Sequence, residues 1–175
     1  MSEKAAKTRE LTSAETSVIE EARRKAQVLY EGVVTPHRSC GIAMAETFGL
    51  PWRPYQSLRR GGITGEGTCG AVRAGVMVLG ELLGDASPTG KVTEALRDAV
   101  VWYQEQVPLR IDRQSSADYV CNNLPRQHGD FRNPSRVAHC TSIAEQVAEL
   151  TAEALLRFSP PELQLEITPF QEEEA

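Results

Sequence analysis

Four cysteines, Cys40, Cys69, Cys121 and Cys140, are the residues of this sequence best suited to chemistry. Thiolates are soft ligands, so four of them suit a [2Fe–2S] or [4Fe–4S] cluster or a Zn²⁺ ion. Two pairs of thiols can instead cycle between dithiol and disulfide. The plainest alternative is that the cysteines are buried and pack as small, inert apolar side chains. No C-x-x-C pair occurs, so the strongest local signal for a zinc site or a thioredoxin motif is missing.

Cys69 stands between a glycine-rich loop and an apolar helix. The loop, residues 61–67, contains four glycines, which adopt backbone angles closed to other residues. From Thr68 to Leu83 the apolar residues have helical spacing and charge is nearly absent, which is typical of a buried helix. With Thr68 as N-cap and Gly84 as the C-terminal stop, Cys69 lies on the first turn. There the helix dipole and free N–H groups favour its thiolate.

The other three cysteines also lie close to predicted helix boundaries. Cys40 opens a short helix over residues 39–49, and Cys140 lies in the early turns of the last long helix. Cys121 lies in a short helical stretch predicted for residues 116–124. We expect the four sulfurs to converge on one site.

Two histidines lie next to cysteines in the sequence. His37 comes three residues before Cys40, and His139 precedes Cys140 directly. Imidazole is a metal ligand and a proton donor, so both are candidate ligands, although a lone histidine is more often a polar surface residue. If the four sulfurs do not converge, Cys40 and Cys69 remain as the redox candidates.

The helical patterns predict an all-α fold. It is a single-domain bundle of about five main helices around the buried central helix from Thr68 to Leu83. The remaining helices are predicted at 12–32, 39–49, 88–106 and 133–158, with Thr12 and Glu15 forming a capping box and Pro108 stopping the fourth helix. The buried face of that fourth helix is predicted to consist of Val92, Leu96, Ala99 and Tyr103.

Three regions follow from these patterns. Residues 1–11 form a polar, flexible N-terminus, residues 12–158 form the four-cysteine helical domain, and residues 159–175 form a tail. The tail carries Leu165, Ile167 and Phe170, which are too apolar for a fully solvated segment. Apolar and polar side chains alternate over residues 163–167, which is typical of a short strand or a docking peptide. We expect the tail to bind this domain, a second copy or another protein.

Composition describes an ordinary globular chain of 175 residues, with 41% hydrophobic and 25% charged residues and a net charge of −5. An acidic balance argues against nucleic acid and anionic membranes as partners. No uninterrupted apolar run is long enough to span a membrane, and the first residues lack the apolar core of a signal peptide. We therefore expect a cytoplasmic protein, in which cysteines are reduced thiols, metal ligands or redox groups.

The sequence resembles a family of small four-cysteine proteins named for the signature C…GCAxxG…C…C and described as redox-active. The likeness covers Cys40 with its flanking residues, the glycine loop and residues 68–84, then Cys121 and Cys140. Ala74 stands where the motif has a small glycine, and Gly75 follows it. The resemblance implies an all-helical fold with a redox or metal site centred on the cysteines.

We expect a redox-active or electron-transfer protein whose four cysteines hold an iron–sulfur cluster or another metal, or act as a redox dithiol. The alternative is a non-catalytic helical binding protein with structural or zinc-binding cysteines. The glycine loop does not follow a strand and lacks the Gly-Lys-Ser/Thr ending of a nucleotide-binding loop. The sequence does not settle whether the protein is an enzyme, and it names neither its redox partner protein nor its oligomeric state.

Overall fold

Five α-helices build the fold in a computed structural model that describes residues 9–130 and 132–170. Within these residues no strand forms, so the predicted all-α class is confirmed. No helix of the described residues is long and apolar enough to cross a membrane. The elements are α1 Ser13–Glu31, α2 Cys40–Thr47, α3 Gly70–Leu83, α4 Glu94–Arg110 and α5 Pro134–Phe158, with 3₁₀ helices at Arg53–Leu58 and Arg126–His128.

Helix α1 is defined by its capping residues. The Thr12 side chain accepts a hydrogen bond from the Glu15 backbone N–H, and the Glu15 carboxylate accepts one from the Thr12 N–H. This reciprocal pair is the predicted capping box. Gly32 follows the last turn at φ 75°, a left-handed conformation that glycine adopts without a Cβ penalty.

Helix α3 is buried at the centre, where it packs against α2, α4 and α5. Val78 and Leu79 are completely buried, and each stabilises the fold by about 1.5–3 kcal/mol relative to an exposed side chain. Small residues on α3 let its neighbours approach closely. Tyr103 of α4 lies against Gly75 and donates a hydrogen bond to the Val72 carbonyl (3.0 Å).

One end of the bundle collects three helix starts and the end of α1. The Tyr30 hydroxyl in the last turn of α1 hydrogen-bonds the Cys140 thiol near the start of α5. The Cys40 sulfur, at the start of α2, packs against the backbone of Gly70, at the start of α3. Because α2, α3 and α5 all begin here, residues near their N-termini come together.

Helix α4 differs from the prediction at both ends. It begins after Thr93, whose hydroxyl accepts from the Leu96 N–H and donates to the Leu83 carbonyl at the end of α3. Val92 therefore lies outside the helix and is 60% exposed, so its predicted place on the buried face is wrong. The helix also continues through Pro108. Pro108 has no N–H to donate within the helix, and the ion pairs of Arg110 with α5 hold the turn that follows it.

The predicted helical stretch over residues 116–124 is wrong. This segment forms turns, and Val120 makes an isolated antiparallel bridge with Thr68. The bridge holds Thr68 in extended backbone, so Cys69 rather than Thr68 occupies the N-cap position of α3. At the other end of α3, Gly84 stops the helix with φ −71° and not in the left-handed conformation.

The described part of the tail packs on its own domain. Leu163 and Leu165 contact the hydrophobic core, Ile167 is buried within it, and none of these residues forms a strand. Close by, the Arg9 guanidinium donates to the Leu156 carbonyl, which ties the start of the described chain to α5. Residues 1–8 and 171–175 lie outside the described part.

The contact at Gly75 predicts opposite effects for two substitutions in the same helix. A Cβ at Gly75 would lie 2.3 Å from the Tyr103 hydroxyl, whereas one at Gly80 meets no atom within 4 Å. Gly75→Ala should lower the free energy of unfolding by about 1–3 kcal/mol. Gly80→Ala, the matched control, should raise it by up to about 1 kcal/mol because helix propensity improves. Urea denaturation followed by circular dichroism measures both, and equal effects would contradict the packing described.

Candidate thiol site

The glycine loop, residues 61–67, is joined to the Cys121 segment by backbone hydrogen bonds. The Cys121 N–H donates to the Gly67 carbonyl, and the Asn122 N–H donates to the Gly65 carbonyl, both at 2.9 Å. These bonds fix Cys121 beside the loop that leads into α3. Two segments far apart in sequence thus form one wall of the site.

This approach is so close that it requires glycine. A Cβ on Gly61, at φ 60°, would lie 2.4 Å from the Cys121 Cβ. A Cβ on Gly65, at φ 85°, would lie 2.1 Å from the Asn122 amide oxygen. Both positions combine a left-handed backbone with contact distances that exclude a side chain, so the loop composition is dictated by its partner.

The tip of the loop is strained at Ile63. Ile63 has φ 75°, and its N–H bonds the Arg59 carbonyl at 2.5 Å. A left-handed conformation costs a residue with a Cβ about 1–2 kcal/mol, and it is rare for a β-branched one. The side chain is 60% exposed, so burial does not repay this cost.

Cys69 is the most buried of the four cysteines, with 8% of its surface exposed. Its backbone N–H donates to the Tyr119 carbonyl at 2.7 Å, which fixes it against the turn before Cys121. Burial raises the pKa of the Cys69 thiol to about 12, although the N–H groups of Val72 and Ala71 donate to the sulfur and oppose this. The expected N–H donors are present, but desolvation outweighs them and the free thiol is neutral.

The Cys40 sulfur lies beside the start of α3. A Cβ on Gly70 would lie 2.7 Å from this sulfur and 2.2 Å from the Leu58 carbonyl oxygen. Burial raises the pKa of the Cys40 thiol far above its usual range, and the neighbouring Cys69 adds to the rise. The Gly41 N–H donates to the sulfur and acts in the opposite direction.

Cys140 and Cys121 are less deeply buried and have cationic neighbours. Burial raises the pKa of Cys140, whereas the Tyr30 hydroxyl and the Arg136 guanidinium, both hydrogen-bonded to its sulfur, lower it. Burial and Cys140 raise the pKa of Cys121, whereas Arg136 and Arg60 lower it. These two thiols therefore have the stronger support for negative charge on sulfur.

The structure brings the four thiols together at this end of the bundle. Ionisation of Cys40 is disfavoured by Cys69, Cys121 and Cys140, and ionisation of Cys69 by Cys121 and Cys140, so all four interact electrostatically. The sulfurs are not at the spacing of bound ligands. Among the described residues, no three Cys, His, Asp or Glu side chains are placed to hold a metal ion.

The two candidate histidines have different surroundings. His37 is exposed, bonds the Tyr30 carbonyl through Nδ1 and packs edge-on against the Tyr30 ring, so it caps the C-terminus of α1. His139 is only 6% exposed, and no described residue hydrogen-bonds its Nε2. Burial lowers the pKa of His139, and His128, whose ring centroid is 5.3 Å away, lowers it further.

Sequence reasoning missed Tyr30 and Arg136 as neighbours of the sulfurs. The spacing of Arg136 and Cys140, four residues apart on one helix, is a signal that predicts contact. Tyr30 gave no such signal because its contact depends on how α1 packs on α5. A surface cleft of about 830 Å³ is lined by parts of α1, α2 and the tail and by no cysteine.

The difference in burial predicts an order of thiol reactivity. In reduced, metal-free protein at pH 8, about one Cys69 side chain in 10⁴ is a thiolate, given its pKa of about 12. Iodoacetamide should therefore label Cys121 and Cys140 at least about tenfold faster than Cys69, and labelling of Cys69 should accelerate as the pH rises. Peptide mass spectrometry measures each site, with denatured protein as the control. Fastest labelling at Cys69 would contradict this order.

Comparison with known proteins agrees with the geometry of the thiol site. No curated protein and no solved structure matches the chain. A sequence model of the C_GCAxxG_C_C family, described as "putative redox-active protein", matches residues 37–154. The matched region contains all four cysteines, the glycine loop and α3. Because the match extends over more than half of its length, the chain belongs to the C_GCAxxG_C_C family of four-cysteine proteins described as redox-active.

Proposed function

We propose that the four cysteines form one redox-active metal centre that holds an iron–sulfur cluster. The proposal rests on one observation: burial and hydrogen bonding have opposite effects on the charge of the buried sulfurs. Burial keeps the free thiols of Cys40 and Cys69 neutral, yet backbone N–H groups donate to both sulfurs. Such donors stabilise negative sulfur, which a metal-bound cysteine provides without leaving an unpaired anion in the interior.

The charges around the site suit the same group. Four cysteine thiolates bound to a cluster core of charge +2 would give a centre with a net charge of −2. Arg60 and Arg136 act on Cys121, Arg136 also acts on Cys140, and both guanidinium groups offset negative charge on sulfur. The four cysteines thus fit an iron–sulfur cluster in ligand type, number, burial and surrounding charge. Binding of the cluster would have to draw the four sulfurs closer together.

Each residue has a separate task in this proposal. Cys40, Cys69, Cys121 and Cys140 would supply the ligands, and the N–H donors with Tyr30 and Arg136 would stabilise the charge on them. An iron–sulfur cluster bound there would accept and release an electron, and hydrogen bonds to its sulfurs would set its potential. The bundle behind Cys69 and the docked glycine loop exclude water from that side.

A redox dithiol is a second candidate, and the position of Cys40 favours it. Its sulfur packs against Gly70, the residue that follows Cys69. Oxidation of this pair to a disulfide would release two electrons and two protons to an acceptor. The neutral state of both buried thiols would slow their attack on another disulfide, so Cys121 or Cys140 would have to react first.

Protein purified without oxygen distinguishes these functions by its visible spectrum and metal content. An iron–sulfur centre gives a coloured protein with iron and acid-labile sulfide, which bleaches on reduction. A colourless protein with stoichiometric zinc would instead favour the alternative of a non-redox binding protein. Colourless, metal-free protein that consumes oxidant in two-electron steps would favour the dithiol.

Replacement of a single sulfur tests the centre directly. Cys69→Ser keeps the size of the side chain but replaces a soft ligand with a poor one, so we expect the fold to persist and bound iron to fall severalfold or more. His37→Gln is the matched control. It changes a candidate ligand whose Nδ1 bonds the Tyr30 carbonyl at the end of α1, and under the proposal of four cysteine ligands the bound iron should remain. Elemental analysis and circular dichroism measure both outcomes. Full iron content and an unchanged redox titration in Cys69→Ser would refute the proposed role of Cys69.

A further inference from the structure

Five exposed arginines on the segments that carry three of the thiols lack the carboxylate partners that arginines have elsewhere in the described structure. The name thiol end is used for these segments, residues 51–73 and 112–140, which contain Cys69, Cys121 and Cys140 but not Cys40. Ion pairs in the described residues engage six arginines, all outside the thiol end: Arg9, Arg23, Arg24, Arg38, Arg110 and Arg157. Within the thiol end, five exposed arginines form no ion pair with any described carboxylate: Arg53, Arg59, Arg73, Arg126 and Arg132.

The thiol end is therefore positive in an acidic protein. It contains eight arginines and four carboxylates, a net charge of +4, whereas the whole chain carries −5, which leaves −9 on the remainder. The carboxylates are Glu66, Asp112, Asp118 and Asp130. Three of them have hydrogen-bond partners within the thiol end: Glu66 accepts from Asn122, Asp112 accepts from the Gln114 N–H, and Asp118 accepts from Asn123.

Positive groups lie close to each reactive sulfur. Arg136 lies one helical turn before Cys140 on α5, and Arg60 directly precedes Gly61, which packs against the Cys121 side chain. The Arg126 side chain bonds Asn123 at 2.6 Å, two residues beyond Cys121. The N-termini of α2, α3 and α5 face the same end, and each adds partial positive charge.

We propose that the thiol end binds a small anionic disulfide, one that carries carboxylates beside its sulfur–sulfur bond, and directs it to Cys121 and Cys140. These two cysteines are partly exposed, as Cys40 is, whereas Cys69 is buried, so a reactant reaches them before Cys69. The inference rests on the redox-dithiol candidate described above and concerns the reduced, metal-free protein, because a cysteine bound to a metal has no free thiol to attack a disulfide.

The reaction is an ordinary thiol–disulfide exchange. The Cys121 or Cys140 sulfur, after losing its proton to solvent, attacks one sulfur of the reactant. A mixed disulfide forms as the sulfur–sulfur bond of the reactant breaks, and the other half leaves as a thiolate. Positive charge around the site raises the local concentration of an anionic reactant and lowers that of a cationic one.

Reagents of opposite charge test this proposal on the full-length protein, reduced and treated with a chelator. The probes are dithiobis(nitrobenzoate), a dianion, and cystamine, a dication, and each rate constant is divided by that of the same reagent with 2-mercaptoethanol, a neutral thiol, to remove the difference in intrinsic reactivity. At low salt, the normalised rate constant should be several-fold higher for the dianion. The double variant Arg59→Glu, Arg126→Glu should lower the ratio of anionic to cationic rates by about three- to tenfold, and 0.5 M salt should largely abolish the preference.

Arg97→Glu changes the net charge by two units, so it is the matched control for the single variants Arg59→Glu and Arg126→Glu, which are measured beside the double variant. Arg97 is exposed and without an ion pair in the described structure, but it lies on the first turns of α4, beside the far end of α3. The Arg97→Glu variant should leave the ratio of anionic to cationic rates nearly unchanged. Equal normalised rates for both charged reagents in the unaltered protein, or an equal loss in Arg97→Glu, would overturn the proposal. Metal analysis decides the proposed centre separately, because this comparison uses metal-free protein.

Discussion

The close contact between the glycine loop and the turn at Cys121 is the constraint on which the thiol site depends. Two backbone hydrogen bonds, to the carbonyls of Gly65 and Gly67, hold the segments together, and side chains on the loop would force them apart. The contact fixes Cys121 next to Cys69 and sets where α3 begins. Without it, two of the four sulfurs would have no defined relation to each other.

Desolvation and hydrogen bonding act in opposite directions at these sulfurs. Burial alone would make Cys69 an inert apolar side chain, and N–H donors alone would make it a reactive thiolate. The structure combines both, with burial dominant in the free thiol. Such an environment suits a group that brings its own positive charge, and it explains why burial by itself does not identify a cysteine as structural.

Local signals predicted those parts of the fold that local interactions determine. Thr12, Glu15 and Gly32 bound α1 through contacts within a few residues, and the apolar pattern of α3 reports its burial directly. The segment over residues 116–124 was predicted incorrectly because its conformation is set by pairing with Thr68 and the glycine loop, about 50 residues away in sequence. No local pattern encodes that pairing.

The cysteines of the candidate site were evident from the sequence, whereas their surroundings were not. The identity of the four cysteines was evident from the sequence, whereas the hydrogen bond from Tyr30 to Cys140 arises from the packing of two distant helices. Pro108 shows the same limit, because contacts of Arg110 with α5 maintain a turn that a proline would otherwise end.

Ile63 gives the glycine loop a property that its glycines cannot. A loop rich in glycine has many accessible conformations, and ordering it costs more entropy than ordering any other sequence. A branched side chain prefers extended backbone, so at φ 75° Ile63 lies about 1–2 kcal/mol above its favoured conformation. The contacts of the loop therefore impose the shape of its tip, and the tip would relax toward extended backbone if the bonds to the Cys121 turn were lost.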